Sequence, residues 1–193
     1  MTVAQLNNKL ENIIKEIRTD SSIMVAIGMD ATAMIKRRVQ ETGKNADGQK
    51  YEGYSTRPML IGKKSFYKTT TADAVFGSKE KRKELKWVTI GDHHLAVLPG
   101  GYKKLRELQG YRTDIVNFTI SERMWQDIGI VSNNGDHSSG VVIIGAKTQE
   151  NKEKLSGNTK RKGDILDLSD SEIQQLKNDY KVKMIKIFRE NGL

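Results

Sequence analysis

The sequence predicts an α+β domain. Helical periodicity fills the first forty residues and again the end of the chain, and two short apolar runs around an Asn-Gly turn read as a β-hairpin between them. The expected architecture is therefore an N-terminal helical region, a small antiparallel sheet with a hairpin, and an amphipathic C-terminal helix. With 193 residues the chain can bury one sizeable core or two small ones, and nothing demands two, so a single domain over 1–193 is the default, with long loops at about 43–66 and 145–162.

Leu6, Leu10, Ile13, Ile14 and Ile17 recur at helical spacing, and Thr2 can cap their start. Asp20, Ser21 and Ser22 interrupt the pattern before Met24, Ile27, Ala31, Met34 and Ile35 continue an apolar stripe. Lys36-Arg37-Arg38 sit where cations complement the helix dipole, and Gly43 marks the stop. From Gly43 to Phe66 the chain is polar, with a turn at Asn45-Ala46-Asp47-Gly48. The alternation of Asn and Asp is also that of a calcium loop, but Gly43 holds the first ligand position and no Glu follows at the required distance. The run Lys79 to Lys86 reads as a solvated, charged face.

Trp87–Ile90 and Leu95–Leu98 around a polar break at Gly91-Asp92-His93-His94 read as two strands or as a loop held by apolar anchors. Adjacent strand side chains point to opposite faces and the third histidine is His137, so the pair predicts no metal site. After the turn Pro99-Gly100-Gly101, Tyr102 to Gln109 fits a short helix stopped by Gly110, and Ile115–Ile120 is strand-like. Ser121, Glu122 and Asp127 around Met124 and Trp125 fit one or two helical turns. Ile128–Val131 and Val141–Ile144 form the hairpin, with Asn133-Asn134-Gly135-Asp136 as its turn. Lys147 to Lys154 is helix-compatible, and Ser156-Gly157-Asn158 is expected to break it before the basic run Lys160-Arg161-Lys162.

The arm from Gly163 runs into the strongest local signal in the chain. Ser169 and Glu172 have capping-box spacing, and Leu168 and Ile173 flank them as a hydrophobic staple. Ile173, Leu176, Tyr180, Met184 and Ile187 then give the last helix one apolar face.

The inventory excludes several chemistries. The absence of Cys removes disulfides, thiolate metal sites and thiol catalysis. There is no Gly-rich phosphate loop ending in Lys-Ser/Thr and no zincin motif, and the scattered carboxylates read as caps and solvated loop residues. No catalytic residue and no cofactor is predicted. No apolar run is long enough to span a bilayer, and the N-terminus enters an amphipathic helix without a signal-peptide pattern, so a cytoplasmic chain is expected. Lys and Arg number 33 against 24 Asp and Glu, a formal +9 that suits an acidic partner.

Taken in order, the helical N-terminus, the Asp-Gly turn with Tyr51 and Tyr54-Ser55, Pro99-Gly100-Gly101-Tyr102-Lys103-Lys104, Ser121-Glu122-Arg123-Met124 before the hairpin, and Ile165-Leu166-Asp167-Leu168-Ser169-Asp170 form a pattern. It resembles the virion morphogenesis and tail-completion proteins of tailed bacteriophages, with Glu122 and Asp167 standing where that family commonly has Gly. The resemblance implies a non-enzymatic subunit of a closed ring where head meets tail or at the end of the tail tube. Its partners would be copies of itself and neighbouring connector, portal or tail-tube proteins, with DNA close by. Its place would be the virion, and the host cytoplasm during assembly. The candidate interface residues are Lys160, Arg161 and Lys162 on a loop that orders on assembly, with Leu168 and Ile173 at the staple. The alternative is a basic nucleic-acid-binding module using Lys36–Arg38, Lys160–Lys162 and the aromatics Tyr51, Tyr54, Phe66 and Tyr67.

Overall fold

A computed structural model describes residues 2–19, 22–62, 65, 76, 86–119, 123–136 and 139–192, without the side chains of 16–19, 134–136, 139 and 140. Its elements run α1 (Val3–Thr19), α2 (Ser22–Arg37) continued by one π turn (Arg38–Thr42), β1 (Met59–Ile61), β2 (Trp87–Ile90), β3 (His93–Leu98), α3 (Gly101–Leu108), α4 (Arg123–Asp127), β4 (Ile128–Asp136), β5 (Ser139–Ala146), α5 (Gln149–Lys162) and α6 (Asp170–Glu190). The fold is α+β, with helices at both ends and small antiparallel sheets between them. Contacts divide the chain into two compact units, Met1–Gln49 with Glu122–Leu193, and Lys50–Ser121. A discontinuous unit thus carries a continuous insert. The reason is that each half collects its own buried cluster, Ile13, Ile23 and Ile187 in the first and Ile61, Phe76, Ala96, Leu98 and Leu105 in the second.

In the discontinuous unit α1 starts from a reciprocal cap. The Gln5 N–H donates to Thr2 Oγ1 at 3.3 Å, and the Thr2 N–H donates to Gln5 Oε1 at 2.8 Å. Helix α2 lies between two partners. Ile23 and Ile27 meet Met184, Ile187 and Phe188 of α6, and Asp30 reaches Lys183 at 3.6 Å. Gly28, roughly 100 to 160° further round the helix from those residues, faces the hairpin instead. A Cβ there would lie 2.6 Å from Val142 Cγ1 and 3.0 Å from Ile130 Cδ1, so glycine is what lets the helix settle onto the sheet. The loss of helix propensity, about 1 kcal/mol, is offset by that close packing. The unit is thus layered as α6, α2 and the β4–β5 hairpin.

Hairpin pairing runs further than the sequence suggested. Asn133 opposes Val142, Asn134 opposes Val141, and Asp136 opposes Ser139, so the residues expected to turn belong to strands, with a bulge between Ile130 and Ser132. The connection falls at 137–138, outside the described residues, and His137 with it.

In the insert the strand order is β1-β3-β2, all antiparallel. Met59, Ile61, Ala96 and Leu98 share the face that packs on Leu105 and Tyr102 of α3. The polar break shrinks to Gly91-Asp92. His93 and His94 are strand residues opposite Ile90 and Thr89, and His94 Nδ1 lies 3.0 Å from Thr89 Oγ1. The loop expected over 43–66 is interrupted by β1, because Met59, Leu60 and Ile61 find a partner in β3 that local sequence does not show. The charge run at 79–85, Phe66, Tyr67, Asp20, Ser21, Ser121 and Glu122 lie outside the described residues.

The segment Ile115–Ile120 is not a strand where it is described. The buried Arg106 side chain brackets it: Nε and Nη2 donate to Arg112 O just before the segment, each at 3.1 Å, Nη1 donates to Thr119 O, and Nη2 reaches the Asn117 side-chain oxygen Oδ1 at 3.1 Å. The Tyr54 ring lies 4.3 Å from the guanidinium carbon, and its hydroxyl accepts the Asn117 N–H at 3.1 Å. Burial pushes the Tyr54 phenol up, with the Arg106 charge opposing it. With Thr119 O on the guanidinium and the Asn117 and Thr119 N–H groups on side-chain oxygens, these backbone groups are already engaged and do not join a ladder.

Candidate interaction surfaces

Among the described residues there is no cluster of His, Asp and Glu that could hold a metal ion, and no helix is long and apolar enough to cross a membrane. The arm and last helix are fixed first. Ser169 and Glu172 form the capping box: the Glu172 N–H donates to Ser169 Oγ at 3.3 Å and the Ser169 N–H to Glu172 Oε2 at 2.8 Å. Arg38 then clamps this cap to the π turn. Its Nε lies 3.0 and 3.2 Å from the two Glu172 oxygens, Nη1 donates to Lys44 O at 3.0 Å, and Nη2 donates to Asp167 O. The pair is nearly enclosed, at 12 and 11% side-chain exposure, where attraction is poorly screened.

Leu168 and Ile173 are half-buried at this junction. Leu168, with Arg38, Asp47, Gly48 and Asp170, lines a shallow cleft of about 370 Å³. Each Arg38 nitrogen is already engaged, so the cleft presents a fixed seam and no obvious receptor.

Lys160, Arg161 and Lys162 are not on a loop. They form the last turn of α5, and the segment expected as a loop over 145–162 is helical from Gln149. The cause is a cap donated from far along the chain. One Asp127 carboxylate oxygen accepts the Lys147 N–H at 3.0 Å, the Thr148 N–H at 2.9 Å and the Thr148 hydroxyl at 3.0 Å. The Thr148 N–H foremost holds the Asp127 carboxyl below the usual carboxylate range. Asn151 Nδ2 donates to Thr148 Oγ1 at 2.9 Å, and Gln149–Glu153 and Glu150–Lys154 add pairs along the helix. The supposed breakers are absorbed: Arg161 Nε donates to Gly157 O at 2.8 Å, and Asn158 approaches Met124 Sδ at 4.0 Å. Lys160 and Arg161 are exposed and Lys162 half-buried.

Sequence reasoning missed two apolar faces. Ile130 and Val142 turn towards α2, which leaves Val131, Val141 and Ile143 on the outer face of the hairpin, 43, 49 and 49% exposed. On α6 the packed side carries Leu176, Met184 and Ile187, whereas Val182 and Ile185, 66 and 49% exposed, lie on the opposite side of the helix. Since α2 separates the hairpin from α6, the two apolar faces point away from each other. The signal was present as an unbroken Val141-Val142-Ile143-Ile144 run, which is apolar on both faces of a strand.

The aromatics of the nucleic-acid reading are also placed. Tyr51 is buried with its ring edge-on to Phe118 at 5.0 Å, and Tyr54 packs on Tyr102 and Arg106, so neither is presented for base stacking.

Comparisons with protein-family models, with curated proteins and with solved structures found no match.

Proposed function

We propose that this chain is a structural subunit of a tailed-phage virion, a head–tail connector or tail-terminator protein working as one copy of a closed ring. The observation that carries the reading is the pair of unlike apolar faces on opposite sides of the discontinuous unit. A surface that meets itself gives a two-fold dimer, whereas two different patches facing apart give head-to-tail contact, which closes into a ring when the rotation per subunit allows. Exposed apolar patches of this kind mark association sites. The family resemblance of the sequence supplies the setting, and the chain does no chemistry of its own in this role. Its neighbours would be portal, adaptor or tail-tube proteins.

The test uses two surface variants, Val141→Asp on the hairpin and Ile185→Asp on α6. Wild type should form closed rings by electron microscopy and mass photometry, and each variant alone should be monomeric. Mixed together, the variants should give dimers and stop there, because each keeps one intact face. A wild type that stays monomeric at high micromolar concentration, or a mixture with no dimer, would sink the proposal.

A further inference from the structure

The charge of the chain is concentrated in the insert. Lys50–Ser121 holds 14 Lys and Arg against 7 Asp and Glu, a formal +7 of the chain's +9, while the larger discontinuous unit is nearly balanced. Within the insert the sheet gathers several of these cations at one end. Lys86 immediately precedes β2, and its carbonyl accepts the Val97 N–H at 2.8 Å near the end of β3. Arg57 precedes β1, whose Met59 pairs with Leu98. Lys103 and Lys104 follow the turn out of β3, and the Lys103 N–H donates to Ser55 O at 3.0 Å. Gly101 fixes the approach: a Cβ there would sit 2.1 Å from Arg57 O.

The register therefore sets Arg57, Lys86, Lys103 and Lys104 around the same sheet end. Arg57, Lys86 and Lys104 are exposed and Lys103 is half-buried. Among the described residues the carboxylate paired with any of the four is Glu107, on Lys104 at 3.2 Å. The other cations of the region are spent differently, Arg106 on carbonyls and Arg112 on Asp114 at 2.7 Å.

We infer that this end of the insert is a nucleic-acid surface that contacts the phosphate backbone without reading sequence. Four cations with one carboxylate among them attract a polyanion. Tyr51 is buried, Tyr54 is half-buried against Tyr102 and Arg106, and the Trp87 ring beside Lys86 is engaged by Phe76 at 5.9 Å, which favours duplex phosphates over unstacked bases. An acidic protein partner fits less well, since the central part of a protein interface is depleted of charge and rich in aromatic anchors.

The experiment titrates the full-length chain, carrying Val141→Asp to keep it monomeric, into a labelled 30-base-pair DNA duplex of random sequence. Contacts by three to four cations predict a slope of log K against log salt of roughly −2.7 to −3.6, or a roughly 40- to 150-fold loss between 50 and 200 mM salt. Arg57→Glu with Lys86→Glu and Lys103→Glu should abolish binding, and the matching Gln substitutions should weaken it at least tenfold with an unchanged circular dichroism spectrum. The triple change Lys160→Glu, Arg161→Glu and Lys162→Glu alters net charge by the same amount in the other unit and should leave binding within about threefold. Equal losses from both Glu triples, no binding by the parent at 50 mM salt, or tighter binding to poly-glutamate than to DNA would each overturn the inference. The readout is taken on a monomer, so failure of the ring proposal leaves it standing.

Discussion

Arg38 shows how much a single residue can organise when its partners are distant in sequence. It lies in the π turn after α2, yet its three nitrogens bind the turn at Lys44, the arm at Asp167 and the cap carboxylate of Glu172. Glu172 thereby closes the capping box and neutralises a nearly buried cation at once. Removing one partner of such a pair strands the other, which typically costs about 3–5 kcal/mol. Arg38→Ala and Glu172→Ala should therefore each cost far more than Ser169→Ala, whose loss is about 1 kcal/mol of cap. Because the two residues share one interaction, the double variant should cost much less than the sum of the singles. Chemical denaturation of the four proteins checks this, and additive losses would show that the pair is not coupled.

At the scale of elements, the deciding caps are those that come from elsewhere in the chain. Helix α5 depends on Asp127, whose folded-state pKa is depressed, so its contribution is present in full above the ordinary aspartate value near 3.9. It is lost as pH falls through the lower folded value. Hydrogen exchange over 149–162 should be protected at pH 6 and loosen below about pH 4. Asp127→Ala should show that loosening already at pH 6. Equal protection in wild type and variant at pH 6 would assign the helix to another support.

The same contrast explains what could be read in advance. Helices α1, α2 and α6 were legible because cap, stripe and stop are written within each segment: Thr2, Gly43 and the Ser169–Glu172 box are local signals. The run of α5 through Ser156-Gly157-Asn158, strand β1 and the non-strand at 115–119 were not, because Met124 beside Asn158, strand β3 and Arg106 all lie outside the segment concerned. The candidate interface residues divide likewise. Leu168 and Ile173 stand at the cap as read, the basic triplet sits on a helix instead of a loop, and the outer apolar faces needed the packing of α2 to be recognised.

For the whole molecule, the division into two units separates two tasks. The nearly neutral unit carries the apolar faces of the proposed ring, and the basic insert carries the inferred nucleic-acid surface. A ring needs contacts that persist at high ionic strength, whereas phosphate contacts weaken with salt, so the two activities should respond differently to the same buffer. The separation also bears on stability, since each unit has its own buried cluster. Gly101 tests this in the insert. Its φ is +60°, and a Cβ would meet Arg57 O at 2.1 Å, so Gly101→Ala meets both a left-handed backbone and a main-chain clash. The backbone term alone is about 1–2 kcal/mol, and the clash adds to it. Hydrogen exchange should accelerate over β1, β3 and α3 in that variant and stay unchanged over α2 and α6, while Arg38→Ala should give the reverse pattern. Equal acceleration everywhere in either variant would mean that the two clusters unfold as one cooperative core and that the insert is not a unit of its own.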